Sequence, residues 1–284
     1  MKISKLISTA IIVSVISLAS CIKANYNDDF TKAPAPPIGG FKASDEVATA
    51  NLVAKWSFDG NLIELKQNLA GTANGTTFTT GIKGQALQGA PNGYVQYNSA
   101  GTVLPGLTEF TVSFWMKTAQ ITAGATSLFQ LVNSGDFWPN LYIGFEPTTD
   151  NYMRFKVIFQ KSGATFSTQF IENQLPNANN DILGKWTNVI VTYDATNSKY
   201  MVYLNSAKIF ESNPQAGPSG PGLGALKFVN VSRILFGTWN EKVEGRAQPW
   251  MANYEGALDE FRIFNKPLSG LEISALYQLE KQGR

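Results

Sequence analysis

The sequence predicts an all-β chain, a two-sheet antiparallel sandwich or jelly roll closed by one short C-terminal helix. Three observations predict it. From Leu52 onward, short runs alternate apolar and polar residues, the period of half-buried strands. Clusters of Gly, Asn, Pro and Thr separate these runs at short intervals. No βα alternation and no internal repeat is found.

The elements follow in order. Phe110–Lys117 alternates, with Trp115 breaking the pattern. Tyr152–Phe159 sets Tyr152, Arg154, Lys156 and Ile158 on one face and Met153, Phe155, Val157 and Phe159 on the other. Trp186–Tyr193 separates Val189, Val191 and Tyr193 from Asn188, Ile190 and Thr192. Tyr200–Leu204 and Ala207–Phe210 flank Asn205-Ser206, a hairpin signal. Ser269–Leu279 is the helix: Ser269 and Glu272 have capping-box spacing, and Leu271, Ala275, Leu276 and Leu279 repeat at helical intervals.

Composition removes several chemistries. The 284 residues include no His and a single Cys, Cys21. A histidine-dependent nucleophile, an imidazole metal ligand, an intrachain disulfide and a thiolate zinc site are all excluded. Any metal must be a hard cation on oxygen ligands, and any hydrolysis must run on carboxylates. Lys2 and Lys5 account for two of the 23 bases, so 21 remain from Cys21 onward against 21 acids. A balanced chain without a basic run argues against nucleic acid as a partner. No coiled-coil pattern is present, and a monomer is expected.

Residues 1–20 read as a secretory signal: Lys2 and Lys5, then an apolar run, then Leu18-Ala19-Ser20 before Cys21. The run is short for a membrane-spanning helix. Cys in that position resembles a bacterial lipoprotein signal, which implies acylation of Cys21 and a membrane anchor; the alternative is a plain signal followed by a chance Cys. Residues 21–50, with Ala33-Pro34-Ala35-Pro36-Pro37 and Gly39-Gly40, read as a flexible tether. Asp28-Asp29 resembles the acidic export signals of surface lipoproteins. An outer-membrane location is therefore expected, at the cell surface rather than facing the periplasm.

Over about residues 51–280 the chain resembles the laminin-G-like, concanavalin A-like jelly rolls of bacteria. The resemblance rests on Leu52–Asn61, Thr79–Leu87, Phe110–Trp115, Lys185–Asp194 and Gly256–Phe264. One such domain is expected over 51–284. The resemblance implies a structural Ca²⁺ clamped by Asp59 and Asp259 with backbone carbonyls, Asn61 lying at a nearby donor position. Strand-end turn hydrogen bonds, and an Asp259-Glu260 pair bridged to Arg262, are the competing reading. Glu64–Asn68 departs from the family pattern beside the first strand. The Glu-x-Asp-x-x-Glu run of glucanases on this fold does not occur. A hydrolytic alternative would need an unconventional carboxylate pair, with Glu146, Glu172 and Glu244 among the candidates.

The resemblance also implies carbohydrate binding. Trp56, Trp115 and Trp186 lie in family-like strands and are read as core. Trp138, Trp239 and Trp250 lie in elaborated segments rich in amides, where aromatic faces and planar polar groups can meet sugar rings. The expected binding set is Trp138, Trp239, Asn240, Gln248, Trp250, Asn253, Tyr254 and Arg154. Covering a sheet edge is the other role open to these aromatics. The overall expectation is a lipid-anchored, non-catalytic polysaccharide-capture protein. A concanavalin A-like glycoside hydrolase and an adhesive protein-interaction module are the alternatives.

Overall fold

The computed structural model describes residues 35–149, 152–176, 182–218 and 220–284. The expected signal peptide, the expected acylation site Cys21 and the expected tether up to residue 34 lie outside the described residues. Strands β1 (Leu52–Trp56), β2 (Ile63–Glu64), β3 (Leu69–Ala70), β4 (Thr72–Asn74), β5 (Thr77–Thr80) and β6 (Gln85–Gln88) come first. Next are β7 (Tyr94–Tyr97), β8 (Phe110–Lys117), β9 (Ala125–Asn133), β10 (Leu141–Glu146), β11 (Tyr152–Gln160) and β12 (Thr168–Pro176). Then follow β13 (Thr187–Asp194), β14 (Lys199–Leu204), β15 (Ala207–Ser212) and β16 (Val231–Phe236). The short helix α1 (Asn240–Val243), β17 (Met251–Asn253), β18 (Ala257–Phe264) and helix α2 (Gly270–Lys281) complete the chain.

The front sheet runs β15-β14-β13-β8-β18-β6-β5, with β1 also paired to β18. The back sheet runs β12-β11-β10-β9-β16-β7-β4, with β17 laid parallel along β9. First and last strands are neighbours, as a jelly roll requires. Between the sheets, Trp56 is buried with Tyr97, Phe129, Phe236 and Phe261 at 5.0–6.3 Å, all roughly edge-on. The alternation expected for β11 and β13 holds: Phe155, Val157, Val189 and Val191 enter this core. The hairpin turns on Asn205 and Ser206, both with positive φ, as a two-residue primed turn demands.

Two smaller clusters lie on the outer faces. The front sheet is covered by α2, where Ile190 and Phe264 meet Leu268, Ile273, Leu276 and Leu279. Ser269 caps the helix with the reciprocal Glu272 bonds that the capping box predicts. Leu271 does not share its buried stripe; it is exposed, and Ile273 takes that role. Trp115 is buried on this outer face, stacked on Tyr277 at 5.5 Å, rather than between the sheets. Trp186 is only half-buried, just before β13.

The tether boundary needs correction. The compact unit begins at Pro36, not at 51. Val47 and Ser44 are buried, and Arg284 donates to the Pro36 and Lys42 carbonyls. The physical reason is Arg262. Its guanidinium is fully buried beneath α2, bonding Glu280 at 2.7 Å, Asp45 at 2.6 Å, Ser44 at 3.2 Å and also Glu260. A buried cation needs partners all round, and the 44–45 segment supplies two. Pro- and Gly-rich composition hid this, although Val47, with Ile38 and Phe41 beside it, packs into the α2 cluster.

Candidate functional site

On the back sheet the strand register fixes which side chains share the outer face. Tyr142, Ile158 and Phe170 stand abreast across β10, β11 and β12. The next rows are Gly144, Lys156 and Glu172, then Glu146, Arg154 and Gln174. Two loops fold over the first row. Residues 134–140 bring Phe137 and Trp138, and residues 237–250 bring Trp239 and Trp250.

The expected aromatics divide. Trp239 is 1% exposed, leans on Tyr142 at 4.8 Å and donates from Nε1 to the Ala125 carbonyl at 2.7 Å. With Tyr142, Ile158, Ala125 and Met251 it forms a small core beneath the loop. It cannot offer a face to a ligand, so its assignment to the binding set is corrected to packing. Three neighbours are likewise buried and form no part of the exposed aromatic surface. Asn240 is buried, its backbone amide donating to the Gln130 side chain at 3.1 Å. Asn253 is buried and donates to the Gly93 carbonyl at 2.9 Å. Tyr254 belongs to the main core, its hydroxyl donating to the Ala257 carbonyl. An Asn or Tyr beside a loop Trp reads the same in sequence whether it faces water or closes a loop.

Trp250 is 41% exposed and rests edge-on against Trp239 at 5.2 Å. It begins an exposed aromatic ridge. Phe137 follows at 6.2 Å, Trp138 at 4.8 Å from Phe137, and Phe170 at 4.7 Å from Trp138. Phe137 and Phe170 are 38% and 48% exposed. Neither was in the expected set. Phe170 was legible, since Thr168, Phe170 and Glu172 alternate with Ile171. Gln248 is exposed on the loop that carries Trp250.

Polar groups line the ridge. Lys156 Nζ lies 5.9 Å from the Phe170 ring centre and bonds Glu146 at 2.6 Å and Glu172 at 3.1 Å. Burial would lower the pKa of this ammonium, but the two carboxylates raise it on balance. Arg154 lies one row on and donates to the Tyr152 hydroxyl at 3.3 Å. Glu244 pairs with Arg233 and Arg246. All three acids of the hydrolytic alternative are therefore engaged in ion pairs.

The metal expectation falls elsewhere. Asp59 and Asp259 do converge, on the turn between β5 and β6. Asp59 accepts the Gln85 amide at 2.7 Å. Asp259 accepts the Ile82 and Lys83 amides at 2.8 and 3.1 Å on one oxygen and the Glu260 amide on the other. Asn61 does not join them; its side chain closes a turn on Asp59 and Ile63. Gly84 has φ +64°, and a Cβ there would overlap the Asp59 carboxylate. The arrangement is a hydrogen-bonded clasp, with Asp59 Oδ1 and both oxygens of Asp259 accepting backbone amides.

The chain is thus a β-sandwich with an exposed aromatic strip on the outer face of one sheet. The model for the concanavalin A-like lectin/glucanases superfamily matches residues 88–274, and the chain belongs to that superfamily. Curated proteins give no match. Among solved structures, domain 4 of the extracellular arabinanase AbnA from Geobacillus stearothermophilus, in complex with arabinotriose, is similar with a TM-score of 0.54 and 19% identity, over 80% of this chain and 98% of that one. The binding domain of botulinum neurotoxin DC in complex with SialylT aligns with a TM-score of 0.56 and 16% identity, over 81% of this chain and 52% of that one. The same toxin domain in complex with rat synaptotagmin II aligns with a TM-score of 0.55 and 16% identity, over 82% and 52%. This chain thus spans about half of the toxin domains.

Proposed function

We propose that this is a lipid-anchored, non-catalytic carbohydrate-binding protein of a bacterial envelope that captures polysaccharide on the Trp250–Phe137–Trp138–Phe170 ridge. The observation that carries the reading is the ridge itself: four partly exposed rings in succession, flanked by Lys156, Arg154, Glu146 and Glu172. Aromatic rings receive the C–H faces of sugars, and the charged and amide groups beside them receive hydroxyls. The arabinotriose complex of a similar domain supports this choice of ligand.

Anchoring is proposed through an acylated Cys21, with display at the outer-membrane cell surface. Residues 36–47 lie with α2 on the outer face of the front sheet, and the ridge lies on the outer face of the back sheet. Single sugar contacts are weak, and many copies on one membrane would raise effective affinity.

The test is affinity electrophoresis of the protein through gels cast with arabinan, xylan, mannan and β-glucan. Retardation by one of them, lost in a Trp250→Ala/Phe170→Ala double variant, supports the reading. No retardation in a panel extended to host-type glycans sinks it and favours the protein-partner alternative, for which the synaptotagmin complex of a similar domain is the precedent.

A further inference from the structure

A sizeable cavity in the described part of the molecule lies away from the ridge. It is a cleft of about 570 Å³ at one end of the sandwich, between the loop after β8 and the turn from β17 into β18. Strand β17 separates the two sites: Trp250 and Met251 serve the ridge side, while Ala252 and Asn253 line the cleft. This volume lies within the range of small-ligand sites, roughly 300–1,000 Å³.

The cleft has its own chemistry. The residues that line it include Thr79, Thr80, Thr122, Gln88, Lys117 and Glu255, which carry hydroxyl, amide, ammonium and carboxylate groups. No aromatic ring lines it. Lys117 and Glu255 are both exposed, and neither has an ion-pair partner among the described residues. They rise from adjoining chain segments, since Ala257 pairs with Lys117 across β18 and β8. Gln88 is held in place by bonds to the Gly89 and Glu255 carbonyls, so the wall is built rather than loose. Asn253, buried in the wall, leaves its side-chain oxygen without a partner among the described residues.

These groups discriminate among ligands. An anion would want several cations, and the cleft offers one, balanced by Glu255. A cation meets the same balance reversed. An apolar ligand would leave the hydroxyls and charges stripped of water. A neutral polyhydroxyl ligand satisfies the set, because vicinal hydroxyls donate to a carboxylate and accept from an ammonium, Thr hydroxyls serve both ways, and Gln88, whose amide hydrogens are taken by the Gly89 and Glu255 carbonyls, accepts through its oxygen. We infer that this cleft is a second saccharide site, separate from the ridge, which holds one or two neutral sugar residues by hydrogen bonds without ring stacking. The sugar is a free mono- or disaccharide or the end of a polysaccharide chain.

The full-length protein is titrated by calorimetry with D-glucose, D-galactose, D-mannose, L-arabinose, D-xylose and their homodisaccharides. One of these binds, and Lys117→Met and Glu255→Ala each weaken it by about tenfold or more, a size expected for a lost charge-assisted hydrogen bond. Trp250→Ala/Phe170→Ala leaves that binding unchanged while removing gel retardation by the polymer. Reducing the chain ends of the bound polysaccharide chemically, without lowering its length, weakens its competition at the cleft if the end is the ligand, and leaves the free sugars as the ligand otherwise. Four results overturn the inference. No sugar of the panel binds; binding ignores Lys117 and Glu255 substitutions; it vanishes with the ridge aromatics; or D-glucuronate binds more tightly than the neutral sugars. Ridge and cleft fail separately, because the first is read by polymer retardation and the second by small-sugar titration.

Discussion

Trp138 stands edge-on to Phe170, ring centres 4.7 Å apart at 85°, and so joins the 134–140 loop to edge strand β12. Neither ring is deeply packed, yet each fixes the other's orientation. This matters for recognition, since a stacking surface that is already ordered loses little entropy when a ligand lands. Phe170→Ala is therefore expected to weaken polysaccharide retention more than loss of one ring face implies, because Trp138 is freed as well. A double-mutant comparison of Phe170→Ala and Trp138→Ala by affinity electrophoresis should show less-than-additive losses. Strict additivity would mean that the two rings bind independently.

Trp239 and Trp250 look alike in sequence and behave oppositely. Trp239→Ala removes the centre of the small core over β9 and β10 and leaves the Ala125 carbonyl without its donor. A cost of about 3–5 kcal/mol follows for a buried aromatic truncation. Trp250→Ala should change stability by well under about 1 kcal/mol, as expected at an exposed site. Urea unfolding of the two variants checks this. Sugar binding gives the complementary contrast: Trp250→Ala loses it in a folded protein, whereas Trp239→Ala loses it only with the loop.

Arg262 makes the boundary of the domain measurable. Truncation at Asn51 removes Ser44, Asp45 and Val47, leaving a buried guanidinium short of two partners and an apolar pocket open. Truncation at Ala35 keeps all three. The shorter chain should be less stable by about 3 kcal/mol, from the lost burial and the disturbed ion network together. Equal melting temperatures would show that the 36–50 segment lies on the domain without supporting it.

The sandwich was legible because its information is periodic. Alternation in β11 and β13, the Asn205-Ser206 turn and the Ser269/Glu272 cap each state a backbone geometry locally. The site was only half legible. Trp138 and Trp250 signalled themselves as large aromatics in polar loops, but whether such a ring turns outward depends on what lies under the loop. Tyr142 and Ile158, from strands about 100 residues earlier, make room for Trp239 and not for Trp250. The role of residues 44–45 was hidden for the same reason: their partner is Arg262, more than 200 residues away.

Asp259 offers the last prediction, about pH. Burial pushes its carboxyl up to about 7, with Glu260 adding to the rise and the Lys83, Glu260 and Ile82 amides opposing it. A carboxyl whose folded pKa exceeds its unfolded value, about 3.9, stabilises the fold below that value, and the contribution is lost as pH rises through about 7. Burial raises Glu280 in the same direction, with Arg262 opposing. Asp45 has the opposite sign: despite burial, Arg262 and Lys55 hold it well below the carboxylate range, so its contribution is present above about pH 4 and lost in acid. The melting temperature should accordingly peak on the acid side of neutrality and fall between about pH 5 and about pH 8. Asp259→Asn should reduce that slope without abolishing it, Glu280 remaining. Asp259→Ala strands three amides and should cost about 1–3 kcal/mol or more at any pH. Gly84→Ala should be destabilising through the same clasp, since the new methyl meets Asp59. If the clasp works through amides alone, chelator leaves all these melting curves in place. A melting temperature that rises with added calcium, and loses that rise in Asp259→Asn, would show instead that the two carboxylates turn from the amides to hold a cation.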